Sequence, residues 1–125
     1  MNDGVADAEK VAACFANCFI EATPAGVICG KNDEQFRQAI PQGYDFYKSA
    51  GITAMDITGK EITQLDEHHA MARIHWRSLF TRKNGITGGI DFDVIYFLQD
   101  LGNGLKIFAY ITGDEKKALR DSGLI

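Results

Sequence analysis

The chain has 125 residues, and 13 Lys and Arg against 17 Asp and Glu give a formal net charge of −4, so nothing in bulk electrostatics drives it onto nucleic acid. A chain of this length fits one domain, 1–125, and folding removes about two-thirds of its unfolded surface from water, enough for a core without metal or disulfide staples. Hydrophobic residues at 46%, charged residues at 24% and only two prolines exclude a disordered tail or linker.

The first residues, Met1 to Asp7, lack the basic start of a secretory signal, and no apolar run approaches the roughly 20 residues of a membrane span. The expectation is a cytoplasmic protein with no membrane partner. Three cysteines are an odd count and read as reduced thiols. Cys14 and Cys18 share a face if they lie on a helix, but no Cys-x-x-Cys accompanies them, so the expectation is core packing and not a soft-metal or redox pair.

In chain order, Val11, Cys14, Phe15, Cys18 and Phe19 have the spacing of an amphipathic helix from Asp7 to Glu21. Thr23-Pro24-Ala25-Gly26 breaks it, and Val27-Ile28-Cys29 suits a short edge strand. Asn32, with Gln35 three residues on, resembles a capping box opening a second helix through Phe36 and Ile40 toward Tyr47, which Pro41 is expected to kink or split. After Gly51 the period changes. Ile52 to Leu65 reads as a strand with a bulge or bend at Gly59-Lys60, and His68 to Arg82 alternates as a long strand. Asn84-Gly85 marks a hairpin tip before a return strand from Gly89 to Gln99, and a second turn leads to a strand from Leu105 to Thr112. Asp114 is placed to cap a short final helix through Leu119, ended by Gly123.

Helices first and antiparallel strands after predict an α+β domain with helices packed on one face of the sheet. The segments His69–Trp76, Phe92–Leu98 and Gly104–Ile111 resemble the last three strands of the nuclear transport factor 2-like superfamily, and the order of elements resembles it over most of the chain. That resemblance implies a cystatin-like cone, a strongly curved and mainly antiparallel sheet with the helices in its concave face, and a branch similar to the polyketide cyclase and steroid isomerase-like domains. Members also include epoxide hydrolases, dehydratases and non-catalytic transport or association domains, so fold alone leaves function open.

By alternation, Ala70, Ala72, Ile74 and Trp76 line up with Phe92, Val94, Tyr96 and Leu98, and with Leu105, Ile107, Ala109 and Ile111, as the helix-covered face. A two-residue turn at Asn84-Gly85 would instead set His75 against Val94. The hydrophobic pattern is the stronger guide, and an odd-length loop or bulge removes the conflict. The other face carries Arg73, His75 and Arg77, then Asp91, Asp93, Ile95 and Phe97, then Lys106, Phe108, Tyr110 and Thr112. Arg73, His75, Ile95, Phe97, Phe108 and Tyr110 make it a candidate homodimer interface, as the resemblance also implies.

Residues suited to chemistry are few. His68 and His69 are neighbours on a strand and point apart, so they cannot easily share a metal ion, and neither metal nor cofactor is expected. Asp91 and Asp93 share a face roughly 7 Å apart, suited either to acid/base work or to salt bridges with Arg73 and Arg77. Asp56 lies in an otherwise apolar or Thr-bearing strand, facing a cavity or exposed at an edge. Asp56, Asp93 and His75 are the candidate proton carriers. Phe15, Phe19, Tyr44, Tyr47, Trp76 and Tyr96 are candidate walls of a pocket for a small apolar or aromatic molecule. The implied activity is metal-free isomerisation, dehydration or hydrolysis, with a non-catalytic dimeric association module as the alternative.

Overall fold

The alternating C-terminal half folds as a meander in the computed structural model, which describes residues 8–113, 115–122 and 124. Strands β3 (Ile52–Gln64), β4 (His69–Thr81), β5 (Thr87–Asp100) and β6 (Leu105–Thr112) pair antiparallel in succession, following β1 (Phe15–Thr23) and β2 (Gly26–Lys31). Among the described residues these form one open sheet ordered β2-β1-β6-β5-β4-β3, in which β1 joins β6 parallel, so the sheet is mainly antiparallel. Helices α1 (Ala8–Ala13), α2 (Glu34–Ser49) and α3 (Glu115–Asp121) complete an α+β architecture. No helix among the described residues is long and apolar enough to cross a membrane. Asp114 and Gly123, read from the sequence as the cap and end of the last helix, lie outside the described residues.

The register follows the hydrophobic pattern. Ala72 faces Tyr96, Ile74 faces Val94, and Trp76 faces Phe92, while His75 sits opposite Asp93. The turn reconciles this with Asn84-Gly85 by being odd in length. Arg82 N–H donates to the Ile86 carbonyl, leaving a three-residue tip. Gly85 there takes φ 86°, the left-handed step that closes such loops. The β3–β4 register shifts between Ile57 and Gly59, the interruption expected at Gly59-Lys60.

The first helix is much shorter than its periodicity predicts. Helix α1 ends at Ala13, and Phe15 to Thr23, expected as the rest of it, is strand β1. A spacing of four serves one helical turn and two strand steps equally, so Phe15 and Phe19 fit either state. The backbone of β6 on one side and β2 on the other supplies hydrogen-bonding partners that favour the strand. All three cysteines are consequently exposed instead of in the core. In β1, Cys18 pairs with Lys31 on the face away from Phe19, and Cys29 lies on edge strand β2. Cys14, Cys18 and Cys29 should therefore all react with a maleimide in the native protein, and mass spectrometry finding any of them blocked until unfolding would contradict this placement.

Helix α2 also differs in detail. Its N-cap is Asp33, whose Oδ1 accepts from Phe36 N–H at 3.0 Å, and not Asn32. Asn32 Nδ2 donates instead to the carbonyls of Ala12 at 2.7 Å and Phe15 at 3.2 Å, tying the α1–β1 junction to the start of α2. The helix runs unsplit through Pro41, which forfeits one backbone bond to Arg37. Aromatic packing of Phe36 on Phe15 and Phe19, at centroid distances of 5.2 and 4.8 Å, anchors its first half. At the other end of the sheet, Leu119 of α3 packs with the cross-strand pair Ile52 and Phe80 in the best-buried cluster.

Candidate functional site

The helix-covered inner face holds a cavity of roughly 870 Å³, walled by β1, α2, β4, β5 and β6. Phe15, Tyr44, Tyr47, Trp76 and Tyr96, expected as pocket walls, all line it, together with Met55, Phe92 and Val94. Phe19 does not reach it. It is buried behind the wall, packed on Phe15 and Phe36. A smaller apolar pocket of roughly 240 Å³ adjoins the cavity, sharing Tyr47, Met55, Phe92, Gly113 and Leu119 with it and extending to Ile52, Ser78 and Ile90.

Two groups of this cavity escape a reading by simple alternation. Glu21 follows Phe19 by two along β1 and so shares its face, once the segment is a strand and not a helix. Tyr110, expected on the outer face with the dimer residues, is turned inward by a β-bulge. Leu98 pairs with Ile107 and Phe97 with Ala109, so Phe108 is the extra residue. Beyond it the phase of β6 inverts. Tyr110 faces Tyr96 and Thr112 faces Val94, while Ala109 and Ile111, read as core, turn outward. The parallel pair then sets Glu21 directly beside Tyr110.

Electrostatics join these groups. Burial pushes the Tyr110 phenol well above the usual tyrosine range, and the Glu21 carboxylate, which accepts its O–H, raises it further, as does neighbouring Tyr96. Tyr96 is raised as well, chiefly by burial, partly offset by a hydrogen bond from the Trp76 indole N–H. Tyr96 and Tyr110 lie 6.3 Å apart between ring centroids. The result is a carboxylate and neutral phenols on a mostly aromatic wall, able to accept a proton from, and donate hydrogen bonds to, a molecule held there.

The three proton carriers suggested by the sequence lie elsewhere. Asp93 and His75 form an ion cluster on the outer face, with His75 Nδ1 2.6 Å from Asp93 Oδ1 and Arg73 Nη1 3.3 Å from Asp93 Oδ2. Hydrogen bonding from His75 first, then the charges of His75 and Arg73, hold the Asp93 carboxyl below its ordinary range. Glu61 on β3 closes the cluster 3.5 Å from His75 Nε2, and Arg77 stands 3.9 Å from Asp91. Asp56 is exposed and paired with Arg77 across β3 and β4, on the same outer side. Outer-face placement also holds for Arg73, Ile95, Phe97 and Phe108, the last with its ring 6.2 Å from that of Phe97. His68 and His69 make separate contacts, His69 Nδ1 lying 2.8 Å from Asp66 Oδ1 and His68 Nδ1 3.1 Å from the Asp100 carbonyl. Among the described residues no group of three His, Cys, Asp or Glu is arranged to hold a metal ion.

This sheet, its helix-covered cavity and the order of elements define an NTF2-like protein with a cystatin-like fold. The chain belongs to the family described as NTF2-like protein (DUF6841), whose profile matches residues 1–115. Comparison with curated proteins finds no match. Among solved structures, an NTF2-like protein with a cystatin-like fold from Novosphingobium aromaticivorans aligns over 99% of this chain and 78% of its own, at 15% identity and TM-score 0.69. A ketosteroid isomerase-like protein from Erwinia carotovora atroseptica aligns over 90% and 82%, at 17% identity and TM-score 0.57. A Xanthomonas campestris protein, provisionally assigned as a calcium/calmodulin dependent protein kinase II association domain, aligns over 90% and 75%, at 14% identity and TM-score 0.62. At such identities these likenesses establish fold, and the functions among them diverge.

Proposed function

We propose that the chain binds a small, largely apolar organic molecule in the inner-face cavity, with Glu21 placed to take a proton from it and the neutral Tyr110 phenol beside it. The observation that carries this reading is the carboxylate of Glu21 within an aromatic-walled cavity of roughly 870 Å³, a size typical of ligand sites. Asp56, Asp93 and His75 have no part in it, because they stand on the far side of the sheet. Trp76 is the single tryptophan and lines the cavity, so its emission reports occupancy directly. A set of small aromatic alcohols and ketones should contain compounds that change that emission saturably. Ligand at a hundred times its dissociation constant should add about 2.7 kcal/mol of stability, seen as a raised melting temperature. Linear, non-saturating responses across the set with no thermal shift would defeat the reading.

A specific observation also favours self-association through the outer face, the occupant being a second copy of this chain. Ile20, Val27 and Ile111 are 43%, 69% and 44% exposed there, adjoining half-buried Ile95, Phe97 and Phe108. The bordering row of Arg73, Arg77, Asp91 and Asp93 mixes both signs, which suits a two-fold contact in which each charge meets its opposite. Sedimentation equilibrium at micromolar concentration should give a dimer, and Phe108→Asp a monomer, through a charge buried in an apolar contact. A monomeric wild type ends this reading.

A further inference from the structure

We propose that the cavity takes an organic cation, an alkyl- or arylammonium compound whose apolar tail enters the adjoining pocket. This rests on the reading of the cavity as a ligand site, and it deepens that reading by assigning the ligand's charge and shape. Glu21 is the one charged side chain among the described residues that line the cavity, and no Lys, Arg or His accompanies it. A carboxylate or phosphate ester entering the cavity meets a like charge with no counter-ion, which penalises it in a half-buried site. An ammonium group meets the opposite situation. The aromatic rings of Tyr44, Trp76, Tyr96 and Tyr110 share the lining with Glu21, and ring faces carry the negative end of the quadrupole that attracts cations within about 6 Å.

Tyr110 strengthens the same preference. Burial and the Glu21 carboxylate keep its phenol neutral, so it orients the carboxylate by donating to it without cancelling its charge. The second pocket sets the shape of the rest of the ligand. Its lining of Ile52, Met55, Ile90, Phe92, Ala118 and Leu119 is apolar, relieved by Tyr47 and Ser78. Its volume of roughly 240 Å³, about eight times the ~30 Å³ share of a liquid water, admits the far end of an unbranched apolar tail whose nearer part crosses the larger cavity from Glu21. Charge at one end and a dry tail at the other describe a single amphiphilic cation.

The test is a series with one skeleton and three head groups, n-octylamine, octan-1-ol and octanoate, titrated against the protein below their micellar concentrations and followed by Trp76 emission. The amine is expected to bind about tenfold or more tightly than the alcohol, and octanoate least tightly. n-Butylamine, which cannot fill the second pocket, should bind at least tenfold more weakly than n-octylamine. Glu21→Gln should remove the advantage of the amine over the alcohol, and an unchanged far-ultraviolet spectrum with a cooperative thermal transition reports that the variant is folded. The wild-type ranking stands without that variant. Equal affinities for the three heads, or tightest binding of octanoate, would overturn the cation assignment while leaving the ligand site intact. Binding of none of them, nor of the aromatic alcohols and ketones, would remove the ligand-site reading itself and the cation assignment with it.

Discussion

Gly51→Ala should lower the melting temperature by roughly 10 °C. Gly51 follows the end of α2 with φ 102°, outside the range an L-residue adopts without strain. A Cβ built there lies 2.7 Å from the Thr81 carbonyl oxygen, a backbone atom that cannot swing away. The same contact region carries the Thr81 N–H to Gly51 carbonyl bond at 2.9 Å, which joins the start of β3 to the end of β4. Conformational strain of about 1 kcal/mol and a forced separation of the two segments together cost about 2–3 kcal/mol, and each kilocalorie moves the midpoint of a domain this size by about 4 °C. Gly102, with φ 100° and nothing within 4 Å of its built Cβ, isolates the first contribution. Thermal denaturation of the two alanine variants should separate them clearly, and equal midpoints would remove the role assigned to the Thr81 contact.

In an alkaline titration followed by phenolate absorbance, Tyr96 should ionise above pH 10, the ordinary tyrosine midpoint, and Tyr110 well above it. The sign follows from the raised folded-state values. The folded protein favours the neutral phenols, so their contribution to stability is fully present below pH 10 and is lost as the pH rises through the higher values. Denaturant midpoints should accordingly fall across that alkaline window. Single Phe replacements assign the late fraction to each ring, and Glu21→Gln should bring Tyr110 part of the way down by removing the charge and acceptor beside it while leaving its burial. Phenols that all ionise together near pH 10 in a still-folded protein would contradict the enclosed Glu21–Tyr110 pair.

The C-terminal meander was legible from alternation because a half-buried strand writes its two faces into the sequence every second residue. Ala72, Ile74 and Trp76 against Tyr96, Val94 and Phe92 fix the register even where the turn dipeptide argues for another. The N-terminal segment was not legible in the same way. Phe15 and Phe19, four residues apart, satisfy helix and strand alike, and the choice was made by pairing with β6 in the far end of the chain, which no local window contains. The missed Glu21 and the misplaced Tyr110 have separate causes. Glu21 lies inward because its segment is a strand, and Tyr110 lies inward because Phe108 is bulged out of the ladder, an insertion invisible to a strict two-residue period. The aromatic walls were easier to read, since Trp76 and Tyr96 belong to the strands whose phase was secure. The acidic candidates Asp56 and Asp93 were chosen for their chemistry, and the register with Arg77 and His75 puts both on the outer face.

The parallel join of β1 to β6 makes the sheet continuous between parts of the chain that are far apart in sequence. Ile20 pairs with Ala109 and Glu21 with Tyr110, closing a loop of about ninety residues whose entropic cost, apart from a length-independent constant, is about 4 kcal/mol. The β3 to β6 meander needs no such closure, since each of its pairs joins strands adjacent in the chain. The wall of Trp76, Phe92, Tyr96 and Tyr110 is thus assembled from near neighbours, whereas the carboxylate of Glu21 arrives only with the most distant strand contact in the sheet. Whatever loosens that single seam separates Glu21 from Tyr110 while leaving Trp76, Tyr96 and the register between them in place.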